Sequence, residues 1–257
     1  MYLQKQTLSI ILPSKAKKYI QSTNYKTKTD KVDAKALSQL GLERKLRQWK
    51  PLSKNIARLR NLTRELDVLN EEKIALKSKL YAKEYTYNHN LRTANRVSAR
   101  IKLIDKQIIQ VKTQIDKTIQ KDSLIKDKIE KLTSIKGVGL YTATVVIAET
   151  NGFEAIEKQG QLASYAGLDI VKNDSGTKLS KGKISKKGNA RLRKSLFMPG
   201  FNVVRFKVPV FKNLYDRLIK KGKSKMQAYV AIHRKLLTTL WALWRSDSLF
   251  DDQYYQT

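Results

Sequence analysis

The stretch from Lys172 to Lys194, KNDSGTKLSKGKISKKGNARLRK, combines the residue types that phosphate chemistry uses. It holds nine Lys or Arg residues (Lys172, Lys178, Lys181, Lys183, Lys186, Lys187, Arg191, Arg193 and Lys194) against the single acid Asp174. Three serines and three glycines are interleaved with them. A serine hydroxyl can act as a nucleophile, and a neighbouring guanidinium can stabilise the charge that builds on a phosphorane-like transition state. A solvated basic loop accounts for the lysines, but less well for the alternation of Ser-Gly and Ser-Lys-Lys-Gly-Asn steps with an Arg-bearing helix. On these residues alone the block points to phosphate contact first and to catalysis second.

Two further constellations bear on the same chemistry. LTSIKGVGLYTATVVIAE, residues 132–149, reads as a helix end, a Gly-x-Gly turn at Gly137 and Gly139, and a second helix opening near Tyr141. Glycines let backbone approach a phosphate, and the free N–H groups of a helix start favour an anion. The motif fits a helix-hairpin-helix with Val138 plugging the core, or a plain helix–helix turn. Contacts of the first kind would position a duplex without reading its sequence. The other constellation is Asp30 and Asp33, carboxylates at i and i+3 on one helical face that could share divalent metal. An ordinary arrangement with Asp30 as N-cap and Asp33 in the first turn fits the spacing as well.

The elements that must position these residues are mostly helical. Thr7–Leu12 reads as a short strand closed by Pro13, followed by a basic helix from Ser14 to about Gln21 and another from near Asp30 to Gly41. From Ser53 to Tyr81, Leu59, Leu62, Leu66, Leu69, Leu76 and Leu80 recur at three and four, a heptad seam interrupted by Lys73. A second seam runs through Val97, Ile101, Ile104, Ile108, Val111 and Ile115. Two long helices joined by a turn make an antiparallel coiled-coil arm, or two bundle helices on a shared core. All 4 prolines and most glycines fall outside this region, so the boundaries expected are 1–50, 51–130 and 131–257. The final helix, about Ser224 to Trp244, carries an apolar stripe suited to a core.

Composition narrows the partners. The 257 residues carry 53 Lys or Arg against 22 Asp or Glu, a net charge of +31. A compact body so charged repels itself unless something anionic neutralises it, and clustering of the charge favours nucleic acid over a membrane surface or an acidic protein. There is no cysteine, which excludes disulfides and thiolate zinc sites, and His89 and His233 lie far apart. No apolar run approaches the roughly 18 residues of a membrane span, and no signal-peptide pattern precedes Pro13. A cytoplasmic protein without a membrane partner is expected.

Taken in order, KTDKVDAKAL, the paired seams, IKGVGLYTATVVIAET, LASYAGLD, SGTKLSKGKISKKGNARLRKSLFMPG and a basic helix with HRKLL resemble the IS110-type insertion-sequence transposases, relatives of the Piv/MooV DNA invertases. The resemblance runs from about Leu8 to Trp244 and is most specific in the SG…ISKKGNARLR…MPG block. It implies an RNase H-like domain with an Asp, Glu, Asp, Asp cluster that binds Mg2+, joined to a C-terminal domain whose serine attacks DNA. It also implies a structured element-encoded RNA as partner and work on the bacterial nucleoid, while the coiled coil itself suits self-association.

Carried over by position, the last two family aspartates fall on Asp30 and Asp33, and the family serine on Ser175 of Ser175-Gly176. Ser185 is the alternative nucleophile. Gly137, Gly139, Lys178, Lys181, Lys183, Lys186, Lys187, Arg191 and Arg193 are the expected DNA contacts. The fold expected is therefore mainly α: a partial RNase H-like α/β fragment, the coiled-coil arm and a helical C-terminal domain. The 29 residues before Asp30 contain no Asp or Glu, so two of the four family ligands are absent. A frameshift, a misplaced start codon or decay would account for this, and the polypeptide alone is expected to be inactive in transposition. The alternative is a remnant that only binds DNA or RNA.

Overall fold

The computed structural model describes residues 8–11, 13–23, 29–46, 48–49, 52–84, 91–154, 156–171 and 182–252. The chain is mainly helical and divides into two compact units, Met1–Leu52 and Ser53–Thr257.

In the first unit α1 (Pro13–Ser22) packs on α2 (Asp30–Glu43). Ala36 and Leu40 of α2 are buried, and the Tyr19 hydroxyl donates to Glu43 at 2.7 Å. Leu8–Ile11 is not a strand: it has no ladder partner among the described residues, and Leu8 accepts instead from the Trp49 backbone N–H. One segment alone cannot satisfy the backbone groups that a strand exposes.

The second unit begins with α3 (Lys54–Glu84) and α4 (Leu91–Gln120). These run antiparallel, because Asn55 bonds Asp122 at one end while Lys73 pairs with Asp105 further along. Seam residues Leu59, Leu62, Leu66, Ile104, Ile108, Val111 and Ile115 are buried, whereas Leu76, Leu80, Val97 and Ile101 nearer the connection are half-buried. The gradient has a simple cause: α3 also packs on α6 (Leu140–Thr150), and two helices by themselves cover only part of each other. Lys73, the seam's interruption, meets Asp105 across the pair.

Helix α5 (Ser123–Thr133) leads into α6, which is buried on every side from Thr142 to Thr150 and forms the centre of the unit. A helix apolar all round belongs in a core. Helix α6 packs against α3, α5 and α8 (Ala190–Arg205), while α10 (Lys225–Ser246) packs against α5, α7 (Gln159–Ala166), α8 and α9 (Pro209–Lys220). Two residues each form β1 (Ile170–Val171) and β2 (Lys183–Ile184), paired antiparallel with Ile170 opposite Ile184. No described helix is long and apolar enough to cross a membrane.

The Met-Pro-Gly step inside α8 has a packing role. Pro199 cannot donate to the carbonyl of Ser195 four residues earlier, and the Thr142 hydroxyl of α6 approaches that oxygen at 3.4 Å. At Gly200 a Cβ would lie 2.1 Å from the His233 ring, so glycine admits α10 against α8. Buried His233 holds the Phe197 carbonyl at 3.2 Å, and burial pushes its pKa below the usual histidine value.

Candidate nucleic-acid interface

The C-terminal half of the basic block is laced to the end of α7. Ser185 N–H donates to the Asp169 carbonyl at 2.9 Å, Lys186 N–H to Gly167 at 3.1 Å, and Asn189 N–H to Tyr165 at 2.7 Å. The two backbones cross so closely that a Cβ on Gly188 would sit 2.3 Å from the Gly167 nitrogen. Gly167 itself has φ +67°, the left-handed cap that ends α7. Lys186 also takes a positive φ, of 52°.

Within this turn the Ser185 hydroxyl donates to the Asp169 carboxylate at 2.5 Å and accepts from the Lys187 N–H at 3.3 Å. Ser175, Gly176, Lys172, Lys178 and Lys181 lie outside the described residues. In sequence they fall between β1 and β2.

Helix α8 starts from Asn189, whose side-chain oxygen accepts from the Arg191 and Leu192 N–H groups at 2.9 and 3.1 Å. Its amide donates to Glu149 at 2.8 Å. Glu149 is 2% exposed and takes two further bonds from Arg64 of α3, at 2.8 and 2.9 Å. Arg60 and the Tyr165 hydroxyl bond the carbonyls that end α6, at 2.8 and 2.7 Å. Burial raises the Glu149 pKa, but hydrogen bonds from Arg64 and Asn189 and the charges of Arg64 and Arg60 outweigh it, leaving the carboxyl below its ordinary value.

Its stabilisation is present above the ordinary carboxyl value of 4.5 and is lost as pH falls through the lower folded value. Removing one partner of a buried ion pair costs about 3–5 kcal/mol. Arg64 is 46% exposed and can rehydrate, which puts Glu149→Ala near the low end, about 3 kcal/mol by urea denaturation. A loss under about 1 kcal/mol would show that the pair behaves as a surface one.

The cations of the block divide into two groups. Arg191 meets Asp67 of α3 at 2.8 Å, and Lys194 meets Glu71 at 2.8 Å and Asp67 at 3.2 Å. Arg193 donates to the Ala166 and Gly188 carbonyls at 2.8 and 3.1 Å. These three fasten α8 to its neighbours. Lys183, Lys186 and Lys187 are exposed. Beside them, a groove of about 310 Å3 runs between Leu168, Ile170 and Ile184 on one wall and Val230, Arg234 and Lys235 of α10 on the other.

At the Gly-x-Gly turn the two glycines differ. Gly137 has φ +109°, and a Cβ there would lie 3.1 Å from the Val203 nitrogen, so it is small to admit α8. Gly139 is exposed with nothing within 4 Å of its missing Cβ, and it opens α6 without a side-chain cap. Val138 is buried at 5% exposure. The Tyr141 hydroxyl donates to Asp67 at 3.1 Å, and burial together with that charge pushes its pKa up.

Asp30 and Asp33 lie in the other unit, in the first turn of α2. The cap is Thr29, whose hydroxyl accepts from the Val32 N–H at 3.3 Å, and not Asp30 as the spacing suggests. Two carboxylates can supply two oxygens to a magnesium ion that keeps water elsewhere. No group of three metal-ligating side chains occurs among the described residues. Asp67, Glu149 and Asp169 do not stand out locally in the sequence. The one usable signal is a lone carboxylate, Glu149, ending an otherwise apolar helix.

Residues 129–216 match the model described as Transposase IS116/IS110/IS902 family, and residues 2–83 match a second transposase model, of the DEDD IS110 type. The chain is 31% identical over 255 residues to the pilin gene-inverting protein of Moraxella bovis, covering 97% of this chain and 76% of that protein. The protein of the same name from Moraxella lacunata is 32% identical over 258 residues with the same coverage. A 43.6 kDa protein of insertion element IS110 from Streptomyces coelicolor is 30% identical over 122 residues, 48% of this chain and 30% of that protein.

Proposed function

Because the chain belongs to the IS116/IS110/IS902 transposase family, we propose that it cleaves and transfers DNA strands, with its second unit gripping the phosphates around a nucleophilic serine. The observation that carries this is the division of the cations: Arg191, Arg193 and Lys194 lock the block in place, which leaves Lys183, Lys186 and Lys187 exposed on a rigid seat beside β2. Cations held on a fixed frame meet a phosphate backbone at small entropic cost.

In this reading Ser175, between the two strands in sequence, is the nucleophile, and Lys178 and Lys181 follow it along the chain. Gly139 and the open start of α6 offer a second phosphate contact, as a helix-hairpin-helix does. The first unit is part of an RNase H-like domain, in which Asp30 and Asp33 would contribute ligands to Mg2+, an ion that would neutralise developing phosphate charge. The long hairpin is a coiled-coil arm through which copies associate, and a structured RNA is a further partner.

The test is DNA binding as a function of salt. Replacing Lys183, Lys186 and Lys187 together by Ala is expected to lower the slope of log K against log salt by about 3, roughly one per lost phosphate contact. Thermal stability should be unchanged, because these side chains are exposed. An unchanged slope in a folded variant would remove these lysines from the interface.

A further inference from the structure

Helices α8, α9 and α10 bring four aromatic rings into one continuous ladder. Phe197 meets Phe201 edge-on at 4.9 Å, Phe201 lies 3.9 Å from Tyr229, and Tyr229 lies 4.8 Å from Tyr215. The ladder is open at its first ring: Phe197 is 43% exposed, and the adjacent Met198 is 61% exposed. Adjacent exposed apolar side chains of this kind form a small patch that a partner can cover.

Its surroundings say what the cover is. Residues 190–246 contain 14 Lys or Arg and a single acid, Asp216. On α8, Phe197 and Phe201 share a face with Arg205 one turn further on, and Arg205 is exposed. At the other end of the ladder the Lys212 ammonium, which also pairs with Asp216, stands 5.9 Å from the centre of the Tyr215 ring. Aromatic faces set in a strongly cationic segment supply the two components of a single-strand binding surface: cations track the phosphates, and rings stack on bases irrespective of sequence. A protein partner would have to be strongly acidic to settle on the same ground. Double-stranded DNA hides its base faces and could use only the cations.

We propose that the Phe197–Phe201–Tyr229–Tyr215 ladder is a stacking platform for unpaired nucleotides, distinct from the phosphate-gripping turn around Ser185. The inference rests on the reading of the chain as a nucleic-acid enzyme. It adds a ligand class, single-stranded DNA segments exposed during strand exchange.

The experiment compares the full chain with Phe197→Ala, Phe197→Leu and Phe197→Tyr. Anisotropy titrations use an oligothymidylate, an abasic strand of equal length and charge, and a duplex. Wild type is expected to prefer the base-bearing strand over the abasic one. That preference should fall about five-fold or more in the Ala and Leu variants, the low end of base–aromatic stacking, and persist in Tyr. The salt slope should not change, because no phosphate contact is removed. Leu keeps apolar bulk at the site, so it gives the answer if Ala perturbs the fold. Equal binding of base-bearing and abasic strands by wild type, or a preference indifferent to Phe197, overturns the platform. Loss of self-association with the preference intact also overturns it and assigns the patch to a second copy. Duplex binding that survives either result leaves the proposed function standing; absence of binding to all three nucleic acids overturns both.

Discussion

Ser175→Ala is expected to abolish the covalent protein–DNA adduct on a denaturing gel, while Ser185→Ala retains it. The step behind the adduct is attack of a serine oxygen on a backbone phosphorus. One P–O bond forms as another breaks, the departing deoxyribose oxygen takes a proton, and the phosphodiester survives as a serine ester. Ser185 is committed elsewhere: its hydroxyl is bound to Asp169 at 2.5 Å and receives the Lys187 N–H, and both contacts hold the turn that seats the basic block. Removing it leaves the Asp169 carboxylate short of a donor, which costs about 1–3 kcal/mol and shows in a melting curve. The adduct yield per folded molecule should hold. The reverse pattern would make Ser185 the nucleophile with Asp169 accepting its proton, and the serine assignment proposed above would fall. Loss of the adduct in neither variant would place the attacking group elsewhere.

Gly188→Ala is expected to cause the largest loss of stability of any single substitution in the basic block. The added carbon would lie 2.3 Å from the Gly167 nitrogen, 2.5 Å from the Tyr165 oxygen and 2.7 Å from the Ala166 carbonyl carbon. All three are backbone atoms already committed to the crossing, so none can swing aside as a side chain would. Overpacking costs about 1–3 kcal/mol where side chains can yield, and more where they cannot. A loss of at least about 3 kcal/mol corresponds to a melting temperature lower by roughly 6–12 °C in a chain of this size. DNA binding should fall with it, because Ser185, Lys186 and Lys187 are placed by the same crossing. Gly160→Ala is the control: nothing lies within 4 Å of its missing Cβ. Relief of glycine's backbone entropy in α7 should leave that variant neutral or more stable by about 0.5–1 kcal/mol. A Gly188→Ala protein that melts with the wild type would mean the crossing opens freely.

Much of the architecture is legible in local pattern. Leu59, Leu62, Leu66, Ile104, Ile108 and Ile115, picked out by spacing alone, are buried where the two long helices meet, because a helical period places every third or fourth residue on one face whatever that face later meets. The expected strand at Thr7–Leu12 was not legible in the same way. A strand exists only with a partner, and the described residues 8–11 have none. Likewise the capping residue of α2 proved to be Thr29 and not Asp30, a shift of one position that composition around the helix start does not distinguish.

The candidate site divides along the same line. By itself the sequence determined that the second unit carries a dense basic block with hydroxyls, that its helices alternate with glycine turns, and that the chain falls in a transposase family. Which cations are open to a phosphate was decided only by tertiary structure. Arg191 and Lys194 look like Lys186 and Lys187 in the sequence, yet their charges are met by Asp67, 124 and 127 positions away. Gly137 and Gly139 look alike too, and only the first has a helix against it. Charge pairing and close packing depend on distance in space. A chain folded back through two long helices brings together residues that no window along the sequence contains.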